Sequence, residues 1–462
     1  MIVKNADEIV SHGNIEGRKI AVDIINYAIS EIDSYKLVKN AVRLRGNILK
    51  VGSYSFDLSD INNIYVVGGG KGSFSIARGL EEVLGDRIAG GVVIEKRGES
   101  RRLRRIKIVE AGHPVPDMEG VRGAREVARI ARLAGGKDIV FACITGGCSA
   151  LMTLPARGIS LEDVRETTDL LLKCGAEIQE INAVRKHISA IKGGRLALYA
   201  HPAQVVSLIV VDEVRGLPWG PTVPDTTTFK DAEAVLKKYN IWDKVPKSVR
   251  RHIERADPEW ETPKQEDFKR MGVRAYNIVL ANSETVCTAA ERRARELGLN
   301  TLILSTVMEG ESREVGIALA GVAREAERSG RPVEPPCVII VGGETTVTII
   351  GEAGEGGRNQ ELVLGAALKI GGSRNIVIAS VGTDGTDGPT DIAGGIVDGQ
   401  TVSRAVEKGI DIYDELMKHN SSYVLKKLGD AIYTGPTGTN VMDLRLLIIT
   451  GRRQDVEASK PL

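Results

Sequence analysis

Short apolar runs alternate with amphipathic segments along most of the chain, and this alternation limits the possible folds more than any other feature. A first series runs from IYVVGGG (64–70) to QVVSLIVVD (204–212). A second series runs from AYNIVLA (275–281) to LRLLIIT (444–450). Strands and helices that alternate in this way form βαβ units around a parallel sheet. The sequence therefore predicts an α/β fold.

The length of the chain and a break in the alternation predict two domains. With 462 residues the chain is too long for one ordinary core, and residues 213–270 interrupt the two series with prolines and dense charge. We predict an α/β domain with a parallel sheet over residues 1–265 and a second α/β domain over residues 266–462. Ligands of such sheets bind beyond the carboxyl ends of the strands, so we expect the active site in the cleft between the domains.

The overall charge and the termini exclude several classes of protein. The chain carries 62 Lys and Arg against 61 Asp and Glu, a net charge of +1, which gives no support for a nucleic-acid or membrane partner. It has no 18-residue apolar run and no signal peptide. Its five cysteines form no CxxC pair and fit free thiols in a reducing compartment. We expect a cytoplasmic protein that acts on small molecules, and the sequence leaves a homo-oligomer open.

The loop GGGKGS (68–73) follows one predicted strand and precedes a helix. Glycines let the backbone approach a phosphate, the helix N-terminus offers free N–H groups, and Lys71 adds a positive charge. The loop is not a Walker A motif and does not fit GxGxxG, yet Glu95 lies where the ribose-binding acid of a Rossmann domain would lie. A dinucleotide site and a purely structural turn therefore both stay open. The candidate nucleotide-binding residues of this loop are Gly69, Gly70, Gly72 and Ser73.

A second glycine loop and a basic helix follow in the same series. TGGCSAL (145–151) repeats the strand–glycine–helix pattern and adds Gly146, Gly147 and Ser149 as candidate nucleotide-binding residues. The helical segment INAVRKHISAIKGGRLA (181–197) places several polar residues at spacings of three, four and seven. A solvated face explains this pattern as well as a binding face does. We take Arg185 and Lys192 as candidates for binding the substrate.

The second series contributes a further cation and four acids. Glu344 lies in the loop GGET and is a candidate for substrate binding, and Arg358 follows two glycines at a predicted helix start. An arginine in that position suits a bidentate grip on a carboxylate or phosphate. Three aspartates then occupy TDGTDGPTD (383–391), at spacings that exclude an EF-hand. A turn is the plain alternative for this stretch, since Asp-Gly and Gly-Pro favour turns.

Phosphoryl transfer needs phosphate-binding loops, cations and a metal held by acids, and the sequence offers all three. Mg²⁺ requires only one or two carboxylates when phosphates and waters complete its shell. We predict Asp384 and Asp391 as metal ligands, and Lys71, Arg358 and Asp387 as catalytic residues. The spacing alone does not decide which aspartate meets the metal and which meets the reacting hydroxyl.

Several long stretches resemble those of the glycerate 2-kinases that carry a C-terminal MOFRL domain, and the match extends from about residue 5 to residue 450. These stretches are VVGGGKGS, EAGHPVPD, TGGCSAL, NAVRKHISAIKGGRLA, GPTVPDTTTF, GGETTVT, GGRNQE and GTDGTDGPTD. The resemblance implies an enzyme that uses Mg²⁺ and transfers the γ-phosphate of ATP to the 2-hydroxyl of D-glycerate, giving 2-phosphoglycerate and ADP. It also implies that the N-terminal domain is Rossmann-like and that the C-terminal domain is smaller. Lys71 and Arg358 would then be the leading active-site cations.

Two departures from the family pattern leave alternatives open. Cys148 stands where the family usually has glycine, and VDEVRGLPWGPT (211–222) is shorter than usual and lacks a second acid. Proteins similar to this family have been labelled hydroxypyruvate reductases, so an NAD(P)H-dependent hydroxypyruvate reductase is one alternative. A weakly active, ligand-binding relative is the other.

Overall fold

The computed structural model describes residues 1–98, 102–212, 218–349 and 351–452. The chain forms two compact units. The unit that we call the terminal unit consists mainly of Met1–Asp33 and Ala281–Leu462, and the inner unit consists mainly of Ser34–Val211 and Leu217–Leu280.

The N-terminal helices α1 (Ala6–Ile9) and α2 (Ile15–Glu31) belong to the terminal unit. The side chain of Arg18 is fully buried: Nε donates to Asp398 Oδ2 at 2.6 Å, and Nη1 donates to Asp430 Oδ1 at 2.8 Å. A buried guanidinium requires nearby acids, because an unpaired charge in the interior is strongly unfavourable. This pairing fixes α2 to the C-terminal half of the sequence.

This arrangement differs from the predicted division at residues 265 and 266. The N-terminal 33 residues group with the C-terminal half, and the strand Arg274–Ala281 lies in the sheet of the inner unit. The sequence shows that α2 has an apolar face but does not show which surface covers it. A single cut along the chain therefore could not give the observed units.

The inner unit follows in chain order, together with the short 3₁₀ turns Leu58–Asp60, Gly85–Arg87 and Pro258–Trp260. Its helices and strands are α3 (Ser34–Ala41), β1 (Val42–Arg45), β2 (Ile48–Val51), β3 (Tyr54–Asp57), β4 (Asn63–Gly69), α4 (Ser73–Leu84), β5 (Ile88–Lys96), β6 (Ile106–Ala111), α5 (Met118–Leu133), β7 (Asp138–Ile144), α6 (Cys148–Leu151), α7 (Leu161–Lys173), α8 (Ile178–His187), α9 (Arg195–Ala200), β8 (Gln204–Val210), α10 (Phe229–Lys238), α11 (Lys247–Arg255), α12 (Gln265–Met271) and β9 (Arg274–Ala281).

The main sheet of the inner unit has the strand order β6-β5-β4-β7-β8-β9, and the pairings from β6 to β8 are all parallel. The predicted Rossmann-like parallel sheet is thereby confirmed. The chain extends the sheet in one direction from β4 and in the other direction from β7. Sheets of this kind bind ligands where the strand order reverses, at the carboxyl ends of the strands. The loops that follow β4 and β7, which are the two glycine loops, lie at this position.

A cluster of helices outside the sheet has its own apolar core, to which α7, α8, α10 and α11 contribute Leu171, Val184, Leu236 and Val249. The described part of residues 213–270, which the sequence marks as an interruption between the two series, forms the helices α10 and α11 and the start of α12. The centre of the unusual loop 211–222, residues 213–217, lies outside the described residues.

Glu261 holds this helical cluster together electrostatically. Its carboxylate accepts hydrogen bonds from His187 Nε2 at 2.8 Å, from Lys264 Nζ at 3.1 Å and from Phe229 N at 3.1 Å. Burial raises the pKa of Glu261, but these hydrogen bonds lower it more, to about 2. Because the pKa of Glu261 is lower in the folded protein than its ordinary value of 4.5, its ionised form stabilises the fold when the pH is above 4.5. This contribution is lost as the pH falls from 4.5 to about 2.

Replacing Glu261 by glutamine is therefore expected to lower the free energy of unfolding near neutral pH by about 1–2 kcal/mol. The same substitution should flatten the dependence of stability on pH between 4.5 and 2. Urea unfolding at several pH values measures both effects, and Glu259→Gln, at an exposed position nearby, is the control. An unchanged pH profile would show that the pKa of Glu261 is the same in the folded and the unfolded protein, which would contradict this prediction.

The remainder of the chain completes the terminal unit. Its helices and strands are α13 (Ser283–Glu296), β10 (Asn300–Met308), α14 (Ser312–Ser329), β11 (Cys337–Gly343), α15 (Arg358–Ile370), β12 (Ile376–Gly382), β13 (Gly394–Asp398), α16 (Thr401–Glu407), α17 (Ile412–Met417), α18 (Ser421–Leu428), β14 (Ala431–Ile432) and β15 (Asp443–Ile449).

The sheet of the terminal unit is mixed. Its order is β10-β11-β15-β12-β13-β14, with β10 and β11 parallel and the other neighbours antiparallel. The register places Asp443, the first residue of β15, opposite Gly343 at the end of β11 and Gly382 at the end of β12. The loops that follow β11 and β12 therefore lie at the same edge as Asp443. Nowhere in the described ranges is a helix both long enough and apolar enough to cross a membrane.

Candidate functional site

The two glycine loops of the inner unit contact each other around Lys71. The backbone N–H of Lys71 donates to Gly146 O at 2.8 Å. Gly70 has φ +141°, and a Cβ atom there would overlap the side chain of Thr145. A Cβ atom on Gly147 would lie 3.1 Å from Lys71 Cγ. The structure thus brings together Lys71 and most of the predicted loop glycines, and the absence of side chains on these glycines allows the close approach.

Gly72 and Ser73, also predicted to bind the nucleotide, are buried and stabilise the loop. The N–H of Gly72 donates to Thr145 Oγ1 at 3.0 Å, and Ser73 Oγ donates to Cys143 O at 3.1 Å. These contacts join the start of α4 to the end of β7. A role for Gly72 and Ser73 in nucleotide binding stays a prediction.

Glu95 lies at the end of β5 with only 1% of its surface exposed. Its Oε2 accepts a hydrogen bond from the backbone N–H of Phe74, in the first turn of α4, at 2.9 Å. A carboxylate in this position satisfies a free N–H group and interacts favourably with the helix dipole. The acid that the sequence suggested for ribose binding is therefore engaged with the helix.

A small cavity in the inner unit collects three of the predicted residues: Ser149, Arg185 and Lys192 line it together with Thr168 and Ser189. Lys192 Nζ donates to the backbone oxygen of Ser149 at 2.7 Å. Burial and, to a smaller degree, the charge of Arg185 lower the pKa of Lys192 to about 8. Arg185 Nε lies 3.5 Å from Thr168 Oγ1.

In the terminal unit, Arg358 is the first residue of α15, and its side chain forms ion pairs with two acidic side chains of this unit. Its Nε and Nη2 each donate to one oxygen of Asp443 at 2.9 Å, and its Nη1 pairs with Glu344 Oε1 at 2.9 Å. Arg445 Nη2 also donates to Asp443, at 2.9 Å. Burial disfavours the charge on Arg358, but Asp443 and Glu344 raise its pKa overall. The bidentate contact that the sequence suggested for a ligand is made here with Asp443, and a catalytic role for Arg358 stays a prediction.

Asp387 is buried and caps α15. Its carboxylate accepts backbone hydrogen bonds from Asn359 at 3.2 Å and Gln360 at 3.0 Å. A Cβ atom on Gly357 would overlap this carboxylate, which explains the glycine before the helix. Burial, together with the negative charge of Asp443, raises the pKa of Asp387. These contacts hold the helix that begins with Arg358, and a catalytic role for Asp387 stays a prediction.

The other two aspartates of the loop act on different neighbours. Asp384 is half-buried and accepts a hydrogen bond from Thr386 N at 3.1 Å. Burial raises the pKa of Glu344, and the charges of Asp443 and Asp384 add to this effect. Asp391 is exposed, and burial together with the negative charge of Asp391 raises the pKa of Tyr433. Among the residues that the structure describes, no group of three or more His, Cys, Asp and Glu side chains is arranged to hold a metal.

Comparison with known proteins shows the family. Residues 20–254 match the domain of unknown function DUF4147, and residues 337–443 match the MOFRL family. A glycerate 2-kinase from Pyrococcus horikoshii is 45% identical over 440 residues, which cover 94% of this chain and 98% of that protein. The chain belongs to the glycerate 2-kinase family. The resemblance inferred from the sequence motifs is thereby confirmed.

Further members of the glycerate 2-kinase family support this assignment. A D-glycerate 2-kinase from Thermotoga maritima is 38% identical, over 94% of this chain and 98% of its own. The crystal structure of a glycerate kinase from Thermotoga maritima superposes with a TM-score of 0.81 at 38% identity, covering 94% of this chain and 99% of that one. A Pyrococcus horikoshii crystal structure gives a TM-score of 0.79 at 44% identity with the same coverage.

Sequence reasoning about this glycerate 2-kinase family member missed Asp443 and Arg445. Both are fully buried, and Asn359 Nδ2 adds a hydrogen bond to Asp443 at 3.0 Å. A signal was present in DLRLLII (443–449), where two opposite charges stand at alternate positions of an apolar strand. Alternate residues face the same side of a sheet, so such a pair in a buried strand predicts an internal ion pair.

Proposed function

We propose that the protein is an ATP-dependent glycerate 2-kinase, which transfers the γ-phosphate of ATP to the 2-hydroxyl of D-glycerate and releases 2-phosphoglycerate and ADP. One observation carries the proposal. Lys71 is held between two contacting glycine loops at the reversal point of a parallel sheet, in a chain 45% identical to a glycerate 2-kinase. We also propose that it acts in the cytoplasm.

In the inner unit, Lys71 supplies the positive charge that phosphoryl transfer needs. Its ammonium stabilises the negative charge on the transferred phosphoryl group, and the backbone of Gly69, Gly70, Gly146 and Gly147 approaches the phosphates of ATP. Close approach of this kind depends on the absence of side chains. Ser149, Arg185 and Lys192 line the cavity next to the second loop and bind the acceptor.

In the terminal unit, the acids and Arg358 provide a charged edge that fits Mg²⁺. Glu344, Asp384, Asp387 and Asp443 outnumber Arg358 and Arg445, and Asp384 raises the pKa of Glu344 by its charge. Of these four acids, Glu344 and Asp384 are half-buried, and Mg²⁺ needs only one or two carboxylates when phosphates and waters complete its shell. Asp384 and Glu344 would hold Mg²⁺, which supplies charge neutralisation of phosphate oxygens when bound. Asp387 maintains the start of α15 and so the position of Arg358.

The alternative, an NAD(P)H-dependent hydroxypyruvate reductase, has one supporting observation. A relative from Agrobacterium vitis that carries the name of a hydroxypyruvate reductase is 38% identical, over 83% of this chain and 98% of its own. Against this, the Glu95 carboxylate, which a dinucleotide would need for its ribose, is buried on the N-terminus of α4. Hydride transfer also requires neither a cation such as Lys71 nor the acids near Arg358.

Two assays on the same preparation test the proposal. With D-glycerate, ATP and Mg²⁺, we expect ADP release that stops when the metal is chelated. With hydroxypyruvate and NADH or NADPH, we expect no change in absorbance at the nicotinamide band. Oxidation of the nicotinamide without ADP release would overturn the kinase, and binding of ATP with neither reaction would identify a weakly active relative. Product analysis distinguishes the 2-phosphate from the 3-phosphate.

A further inference from the structure

Arg185 is a half-buried cation without an acidic partner among the described residues. It extends from α8 into the cavity that Ser149, Thr168, Ser189 and Lys192 also line. Its hydrogen bond to Thr168 Oγ1 is 3.5 Å long, at the outer limit for such a bond. No described residue that lines this cavity is acidic. The cavity therefore carries two cationic side chains and no compensating charge.

Two other arginines that the structure describes are bound at shorter distances than Arg185, one by acids and one by backbone oxygens. Arg358 is bound by Asp443 and Glu344. In the inner unit, Arg195 Nε donates to Ser189 O at 3.0 Å and Nη1 to Glu261 O at 3.0 Å. Removing a guanidinium from water without a counter-charge is unfavourable, so an unpaired arginine that faces a cavity favours an anionic ligand. Arg185 therefore differs from Arg358, the other candidate for binding a carboxylate, because Arg358 is already bound by acids of the protein.

Lys192 strengthens the preference for an anion and fixes one wall of the cavity. Its Nζ donates to Ser149 O at 2.7 Å and lies 3.4 Å from Met152 O, at the end of the short helix after the second glycine loop. The ammonium is thus held by backbone carbonyls, which leave its charge uncompensated. The charge of Arg185 acts on Lys192 as a like charge, and a bound anion would offset that repulsion.

The size and walls of the cavity limit which anion fits. Its volume is about 30 Å³, and the apolar wall contains Leu154, Val164 and Ile188. A planar carboxylate matches the fork of a guanidinium, which donates two parallel hydrogen bonds. A space of this volume has room for a group of a few atoms, such as a carboxylate.

We infer that this cavity is the carboxylate subsite of the acceptor, with Arg185 as the carboxylate ligand. The identity of the acceptor rests on the proposed function. The binding of a small carboxylate does not, and it is measured separately from catalysis.

The test compares Arg185→Met, Arg185→Lys and the native enzyme by calorimetric titration with D-glycerate, with and without ADP, and by kinetics. Loss of a buried charged hydrogen bond predicts a rise of at least about 30-fold in Kd and KM for D-glycerate in Arg185→Met. The KM for ATP and the thermal unfolding temperature should stay unchanged. The Kd and KM of Arg185→Lys for D-glycerate should lie between those of the native enzyme and Arg185→Met, because lysine keeps the positive charge but cannot donate two parallel hydrogen bonds. Arg251→Met, at an exposed position of α11, is the matched control.

A neutral analogue, glyceramide, separates charge recognition from general weakening. The native enzyme should bind D-glycerate more tightly than glyceramide, and Arg185→Met should lose this discrimination. Equal affinity of native and Arg185→Met enzymes for D-glycerate, or no binding by the native enzyme, would overturn the inference. Tight binding that depends on Arg185 without ADP release would instead overturn the proposed kinase and leave the carboxylate subsite in place.

Discussion

Replacing Lys71 by alanine is expected to lower kcat/KM by about 10²–10³-fold, the usual effect of removing a group that stabilises transition-state charge. The fold should remain intact, because the contact that joins the two glycine loops is made by the backbone N–H of Lys71 and not by its side chain. A steady-state assay of ADP release measures the first effect, and thermal unfolding measures the second.

Two further variants make this result specific. Lys71→Arg keeps the charge but changes its position, so it should retain part of the activity. Lys50→Ala removes an exposed lysine from β2 and should leave activity unchanged. Near-normal turnover in Lys71→Ala would remove this residue from the mechanism, whatever the result for Arg185.

Replacing Asp443 by asparagine is expected to lower the free energy of unfolding by about 3–5 kcal/mol, because it removes the charge that compensates two buried arginines. Asp443 accepts hydrogen bonds from both Arg358 and Arg445 and is itself fully buried. Burial disfavours its charge, but Arg358 and Arg445 keep the pKa of Asp443 below its ordinary value. Urea unfolding measures the loss of stability.

Asp391→Asn is the matched control for Asp443→Asn, since Asp391 is an exposed acid of the same unit, and its stability should stay close to that of the native protein. The ion network also changes what Arg358→Ala can show. The structure predicts that Arg358→Ala loses both turnover and stability, because Asp443 would keep only one of its two arginines. If Asp443→Asn were as stable as the control, the network would not be the structural centre of this unit.

The candidate site residues of the inner unit could be predicted from the sequence because each set lies within a single loop. Each glycine loop follows its own strand, and consecutive strands of a parallel sheet end at the same edge, so the pairing of GGGKGS with TGGCSAL could be expected. The burial of Ser73 and the engagement of Glu95 with α4 could not be expected. Both depend on which atoms lie beside them in the folded protein.

The terminal unit shows more clearly which contacts could not be predicted from the sequence. By itself, the sequence determined the alternating α/β architecture, the glycine loops with Lys71, and the glycine-preceded helix that begins with Arg358. Only the tertiary structure decided that Asp387 caps that helix and that Arg358 forms its bidentate ion pair with Asp443. It also decided that Arg185 has no acidic partner within the described part of the chain. The reason is physical: a residue's type and spacing fix what it can bind. The partners brought to it from distant parts of the chain decide which of those interactions are already made.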